Sequence, residues 1–329
     1  MTREEGIQHL KSHMLVKLPS PTKKFTGQTI IVTGSNVGMG MEAARHFVRL
    51  DAAKVILAVR SLAKGEAAAK SIAASTKREG IAEVWELDLA SYQSIEAFAK
   101  RAQALPRLDI IVANAGVLMY KFELAEDNET HITVNVVSHL LLTLLLLPKL
   151  RETAVATEKP SVITFTGSFT HKMTEFVERK NENIFAELNN KDTARMKERY
   201  YVSKMVQLLT VREFANELAK STKGGKIITN VVNPGFVATD IMRHSTWAFQ
   251  LWYRPLRWIM ARSAEEGGRT LVHGAEGAEE THGQYLDDCK IGATSAFVIS
   301  PEGDETQKRL WRELRAKLEA VHSGVLQNI

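Results

Sequence analysis

TIIVTGSNVGMG, residues 29–40, is the stretch that decides the fold. Five consecutive β-branched residues, Thr29 to Thr33, favour a strand, and a run with no polar alternation fits a strand covered on both faces. Gly34, Gly38 and Gly40 follow at GxxxGxG spacing, and Val37, Met41, Ala44 and Val48 then recur at helical intervals. A strand feeding a helix through such a turn suits an anion. Glycine lets the backbone approach a pyrophosphate and take positive φ, and the amides at the helix start face the charge. The spacing differs from the commoner GxGxxG, and a plain tight strand–helix turn is the alternative use of the same residues.

The same rhythm extends outward. Lys54–Val59, Ala82–Leu87, Asp109–Ala113, Ser161–Thr166 and Lys226–Val232 are short apolar runs expected to form further strands. Ile95, Phe98, Ala99 and Ala102 mark one stripe of an intervening helix. Alternating strands and helices imply an α/β doubly wound parallel sheet, whose ligands bind beyond the carboxyl ends of the strands. No repeat or linker interrupts the pattern. A single domain is expected over residues 25–329, preceded by a loose extension, residues 1–24, and ending in an elaborated C-terminal third.

Composition narrows the field. In 329 residues, 44% are hydrophobic and 25% charged, which excludes disorder, collagen-like repeats and a disulfide scaffold. One cysteine, Cys289, leaves no intrachain disulfide and no zinc site of several thiolates. A net charge of +5 over this length is too small to favour nucleic acid or an acidic membrane. The N-terminus has no apolar core long enough for a signal peptide, and Leu140–Leu150 falls short of the ~20 residues of a membrane span. A buried core helix and a cytoplasmic protein are the expectations.

With the turn at Gly34–Gly40 come Asn114-Ala115-Gly116 within ANAG, Asn135 of VN, Tyr200 and Lys204 of YxxxK, and Asn233-Pro234-Gly235, in that order. The chain therefore resembles the short-chain dehydrogenase/reductase family from about Phe25 onward. It looks most similar to the retinol-dehydrogenase-like branch, which includes many fungal reductases of secondary metabolism. The resemblance implies a Rossmann-type fold, a catalytic set of Tyr200, Lys204, Ser168 and Asn135, and a homodimer or homotetramer. It implies no metal. Asn135 would reach the lysine through a water in a proton relay, with simple helix capping as the alternative.

Elementary chemistry gives the pair its purpose. At i and i+4 on one helix, the Tyr200 phenol and Lys204 ammonium share a face. A phenol of pKa ≈ 10 is a poor proton-transfer group near neutrality, and a cation beside it, together with an oxidised nicotinamide, is expected to lower that value. The family commonly has two serines where Gly167 and Ser168 stand. Only Ser168 has a hydroxyl to orient a substrate oxygen, and Thr166 is its alternative. His131, His139 and His171 show no nucleophile or metal spacing and read as ordinary histidines.

The coenzyme reading turns on the end of the second strand. An acid there would accept from an NAD ribose, but Val59 fills that position and Arg60 follows it. A guanidinium suits a 2′-phosphate, so NADP(H) is expected. The resemblance places Gly34, Ser35, Asn36, Val37, Gly38, Met39 and Gly40 on the diphosphate. It places Asp88, Leu89, Asn114, Ala115 and Gly116 near the adenosine, and Lys204 on the nicotinamide ribose beside Tyr200. Pro234, Gly235, Val237 and Thr239 would flank the nicotinamide.

Two segments exceed a compact member and are expected to cover the substrate, residues 169–199 and 238–262. The second holds Trp247, Phe249, Trp252, Tyr253 and Trp258, which read as an apolar substrate wall, a helix packed on the core, or a partner or membrane surface. Arg243, Arg254, Arg257 and Arg262 in and beside it keep peripheral membrane contact open without favouring it. The function expected is interconversion of a ketone or aldehyde and an alcohol on a bulky apolar small molecule. The alternatives are an enoyl reductase or non-redox enzyme on the same fold, or a dinucleotide-sensing protein without catalysis.

Overall fold

The six strands expected from the sequence form within one residue of their expected ends: β1 (Thr29–Thr33), β2 (Lys54–Val59), β3 (Ala82–Glu86), β4 (Ile110–Ala113), β5 (Ser161–Thr166) and β6 (Ile227–Asn233). The computed structural model describes residues 6, 12, 16–238 and 261–329. Two more short strands, β7 (Tyr285–Asp287) and β8 (Lys290–Ile291), extend the sheet. Its order is β3-β2-β1-β4-β5-β6-β7-β8, parallel throughout except the antiparallel β7–β8 pair. From β1 the chain steps outward to β3, then returns to place β4 on the other side of β1. The order therefore reverses between β1 and β4, and a crevice opens at their carboxyl ends. This is a single-domain, Rossmann-type doubly wound sheet.

Helices α1 (Gly38–Arg49), α2 (Leu62–Thr76) and α3 (Tyr92–Gln103) connect β1 to β4. They are followed by α4 (Ser138–Thr157), α5 (Arg199–Lys220), α6 (Ala264–Ala275) and α7 (Pro301–Val321). Side chains of β1 alternate between two cores. Ile30 and Val32 join Phe25, Phe47, Val55 and Leu271 on one face of the sheet, and Ile31 joins Ile56, Phe98, Leu141 and Phe165 on the other. The α3 stripe is the expected one, with Ile95, Phe98, Ala99 and Ala102 buried. That of α1 is rotated. Its buried residues are Gly40, Ala43, Ala44, His46, Phe47 and Val48, while Val37 is exposed at the helix start. Helix α1 packs on the sheet with α2 and α6 beside it, and Gly268 brings α6 close; a Cβ on it would sit 2.9 Å from the Ala43 nitrogen. The buried side thus spans more than one stripe.

The apolar run at Leu140–Leu150 lies within α4, which is long and apolar enough to cross a membrane by composition but is buried inside the protein. The extension is not loose where it is described. Leu18 is buried, the Leu18 carbonyl accepts from Arg269 at 2.8 Å, and the Glu276 carbonyl accepts from Lys23 at 2.7 Å. Residues 169–199 also pack inward. Phe176, Ile184, Phe185 and Leu188 are buried, and Arg309 of α7 donates to the Arg179 carbonyl at 3.0 Å. Arg262 is not a surface group either: it is buried, with its guanidinium 2.5 Å from Asp288. The aromatics Trp247, Phe249, Trp252, Tyr253 and Trp258, with Arg243, Arg254 and Arg257, lie outside the described residues.

Candidate active site

The turn after β1 is built around Thr33. Its hydroxyl accepts from the amides of Asn114 and Ala115, each at 2.9 Å, and its carbonyl accepts from the Asn114 side chain at 2.9 Å. These bonds fasten the end of β4 to the end of β1. Gly34 adopts φ +65°, and a Cβ there would meet the Ala115 Cα at 2.9 Å; one on Gly40 would meet Asn114 Nδ2 at 2.4 Å. Only glycine leaves these positions open. Ser35 turns inward, its hydroxyl donating to the Val32 carbonyl at 2.7 Å.

Ser61, Ser91, Ser263 and Ser300 cap the helices α2, α3, α6 and α7, but α1 has Val37 at that position and no side-chain cap bond. Nor is there an acid in its first turn. The first amides of α1 therefore stand beside a glycine cradle with no side chain of the described residues capping them. That arrangement fits a dinucleotide diphosphate. Arg60 is exposed where β2 ends, next to the start of α2, as a 2′-phosphate ligand would need.

Asp88 is half-buried, with its carboxylate accepting from the Ala90 amide at 2.9 Å, and Leu89 is buried with its carbonyl accepting from Ser138 at 2.6 Å. Gly116 lies against Asn135: a Cβ there would be 3.2 Å from Asn135 Oδ1. Beyond β6, Pro234 and Val237 are buried and Gly235 takes φ +80°, its amide donating to Asn233 Oδ1 at 3.1 Å. Thr239 lies outside the described residues.

The catalytic candidates meet at the ends of β4 and β5. Tyr200 and Lys204 occupy the first turns of α5, with Lys204 Nζ 5.9 Å from the phenol ring centroid. The Ser168 hydroxyl is near enough to the phenol to favour its ionised form, and it also accepts from the Thr170 amide at 3.2 Å. Thr166, the alternative, is buried in β5 and directs its hydroxyl to Asn114 Oδ1 at 3.5 Å, away from the phenol. Gly167 could not have served: a Cβ on it would lie 2.5 Å from Val231 Cγ1, because the residue faces β6. His171 holds the serine loop, its Nδ1 2.7 Å from the Ser168 carbonyl and its Nε2 accepting from the Ser295 amide at 3.3 Å.

The electrostatics depart from expectation. Burial pushes the Tyr200 phenol up to about 12, Tyr201 adds to the rise, and the Ser168 hydroxyl opposes it. Lys204 does not lower it. Its ammonium is buried and pushed down to about 7 by desolvation, so near neutrality it is only partly charged. Nζ donates instead to the Thr166 carbonyl at 2.7 Å and to Gln207 Oε1 at 3.1 Å.

Asn135 is no helix cap. It sits in a π-helical turn, Thr133–Val137, ahead of α4. Its side-chain nitrogen donates to Ser203 Oγ at 3.0 Å and to the Val117 carbonyl at 3.2 Å, and its oxygen accepts from the Val117 amide at 3.0 Å. Its own carbonyl accepts from Gln207 Nε2 at 2.9 Å. His139 is buried beside this group and is pushed down to about 3, first by desolvation and then by Lys204.

Behind Tyr200 is a cluster that the sequence did not reveal. Arg199 is fully buried between Glu178, at 3.5 Å, and Glu129, at 3.9 Å, and Glu129 also holds His131 Nδ1 at 2.7 Å. His131 Nε2 accepts from the Met119 amide at 3.0 Å. These residues come from three separate segments, so no local pattern could connect them. Gln207 could have been found, since it lies three residues past Lys204 on the same helix face.

The sequence profile of short chain dehydrogenases matches residues 28–177. The chain is 44% identical to the short chain dehydrogenase/reductase dmxR8 of Cryptosporiopsis sp. over 97% of its own length and 99% of that protein. It is 46% identical to the short chain dehydrogenase atnD of Emericella nidulans, over 84% and 89% of the two. Among solved structures it is similar to a 3-ketoacyl-(acyl-carrier-protein) reductase of Brucella melitensis complexed with NADH, with TM-score 0.58 and 20% identity, covering 80% of this chain and 97% of that one. A short chain dehydrogenase of Shigella flexneri complexed with NADP gives TM-score 0.57 and 22% identity, covering 81% and 99%.

Proposed function

The chain belongs to the short-chain dehydrogenase/reductase family of oxidoreductases, and on that premise we propose that it is an NADP(H)-dependent ketoreductase. It interconverts a ketone or aldehyde and an alcohol on a bulky apolar small molecule. The observation that carries this reading is the convergence of Tyr200, Lys204 and Ser168 at the end of β5, with Lys204 Nζ 5.9 Å from the phenol ring and bonded to the Thr166 carbonyl at 2.7 Å. A nicotinamide coenzyme bound in the crevice supplies the hydride.

Ser168 orients the carbonyl oxygen, and Tyr200, protonated near neutrality, gives it the proton. Carbonyl carbon gains the hydride and carbonyl oxygen gains the phenol proton, leaving an alcohol and a tyrosinate to be reprotonated. Thr33, Gly34 and Gly40 shape the diphosphate cradle, and exposed Arg60, with no acid at Val59, supports the phosphorylated coenzyme. Tyr120 and Met173, both exposed on the loops that leave β4 and β5, support an apolar substrate.

The test is coenzyme consumption against panels of aromatic polyketide, steroid, retinoid and simple ketones, with NADPH and NADH compared by kcat/KM. A marked preference for NADPH is expected; equal values or a preference for NADH contradict the coenzyme reading. Alcohol products carrying deuterium from labelled NADPH at the former carbonyl carbon are expected, and label at a former enoyl carbon contradicts a ketoreductase.

A further inference from the structure

The family resemblance puts a water between the carbonyl of Asn135 and the lysine ammonium. In this chain a side-chain amide stands there. Gln207 is buried, and its two ends are committed: Oε1 accepts from Lys204 Nζ at 3.1 Å, and Nε2 donates to the Asn135 carbonyl at 2.9 Å. Their chemistry allows only this orientation, because an ammonium has no acceptor and a carbonyl oxygen no donor. The π-helical turn at Thr133–Val137 sets the Asn135 carbonyl where the amide can reach it.

We propose that Gln207 is the positioning residue of Lys204, a fixed amide bridge in place of a water, and that it closes the buried flank of the site to proton transfer. An amide accepts at oxygen and donates at nitrogen, so passing a proton from Nζ towards Asn135 requires an imidic acid form that no neighbouring group generates. Tyr200 is therefore recharged from the crevice side, past Ser168, rather than through the core. The bridge also keeps the lysine usable. Desolvation disfavours its charged form, and the Gln207 and Thr166 oxygens that accept from Nζ favour it. Among the described residues, the other titratable groups facing Lys204 are Tyr200, one turn earlier on α5, and His139 from α4, the latter neutral.

The inference rests on reading Lys204 as the active-site lysine, and its test does not need turnover. Isotope-labelled lysine side chains of the full-length protein are titrated by NMR, with Lys204 identified by the signal lost in Lys204→Met. Gln207→Glu sets a carboxylate against the ammonium and is expected to raise the lysine pKa by about 1 to 3 pH units. Gln207→Met, similar in length but without hydrogen bonds, is expected to lower it. With a substrate in hand, the alkaline limb of kcat/KM moves the same way in each variant.

An unmoved lysine titration in both variants overturns the bridge, whatever the activity. If the methionine variant does not fold, the glutamate variant alone decides. Lysine titrations that move as expected in a protein that reduces no carbonyl uphold the bridge and overturn the ketoreductase reading instead.

Discussion

Burying Lys204 costs the apo protein stability in a pH-dependent way that can be measured. The side chain is 4% exposed and its pKa falls from 10.5 to about 7. Between those two values the unfolded chain binds close to one more proton than the native one. Stability from this group therefore rises with pH across that window and is constant below it. From about pH 7.5 to about pH 9 the rise is about 2 kcal/mol. Lys204→Met removes the titration. It also leaves the Thr166 carbonyl and Gln207 Oε1 without their donor, but that loss does not change with pH. Urea unfolding of both proteins at the two pH values isolates the effect. The free-energy difference between native sequence and variant is expected to shift by about 2 kcal/mol in favour of the native sequence at the higher pH. Parallel pH dependences refute a depressed lysine, and with it the argument that burial governs this site.

Three further outcomes follow from other contacts. Arg60→Ala removes one charge-assisted bond to a 2′-phosphate, worth about 1.5–3 kcal/mol, so KM for NADPH is expected to rise about 10- to 100-fold with little change for NADH; steady-state kinetics with both coenzymes check this. Arg199→Met leaves Glu129 and Glu178 buried without their cation, and a loss of about 3–5 kcal/mol is expected in urea unfolding. Gly167→Ala drives a methyl into Val231, 2.5 Å from its Cγ1, and is expected to cost about 1–3 kcal/mol by the same assay.

Much of this was legible in the sequence because parallel strands buried on both faces leave apolar runs, as β1, β2 and β4 do, whereas β3, AEVWE at a sheet edge, is interrupted by Glu83 and Glu86. Strands β7 and β8, three and two residues long at the sheet edge, carry no such signal. Helix α7 was readable and unread: Ser300 caps it, Pro301 opens it, and Leu310, Leu314 and Leu318 keep helical spacing on its buried side. The stripe expected from Val37 is rotated in α1 because the helix meets both the sheet and its neighbour α6, so that its burial spans more than one face.

The candidate site divides along similar lines. Tyr200, Lys204 and the glycine turn could be read locally, since each motif lies within one turn or one helix face. Choosing Ser168 over Gly167 and Thr166 required tertiary geometry, namely the contact of Gly167 with Val231 and that of Ser168 with the phenol. Without coenzyme the Tyr200 shift is upward, although sequence spacing puts a cation one turn away. In the fold that cation is itself desolvated and hydrogen-bonded elsewhere. The Arg199 cluster joins residues about 20 and 70 positions apart and could only be seen folded.

The central claim is that Tyr200 supplies the proton for carbonyl reduction, and Tyr200→Phe tests it most directly. The variant keeps the ring and loses only the hydroxyl. With saturating NADPH and a ketone accepted by the native protein, kcat is expected to fall by about 10²-fold or more while coenzyme affinity holds. A phenylalanine variant that turns over at the native rate contradicts the account.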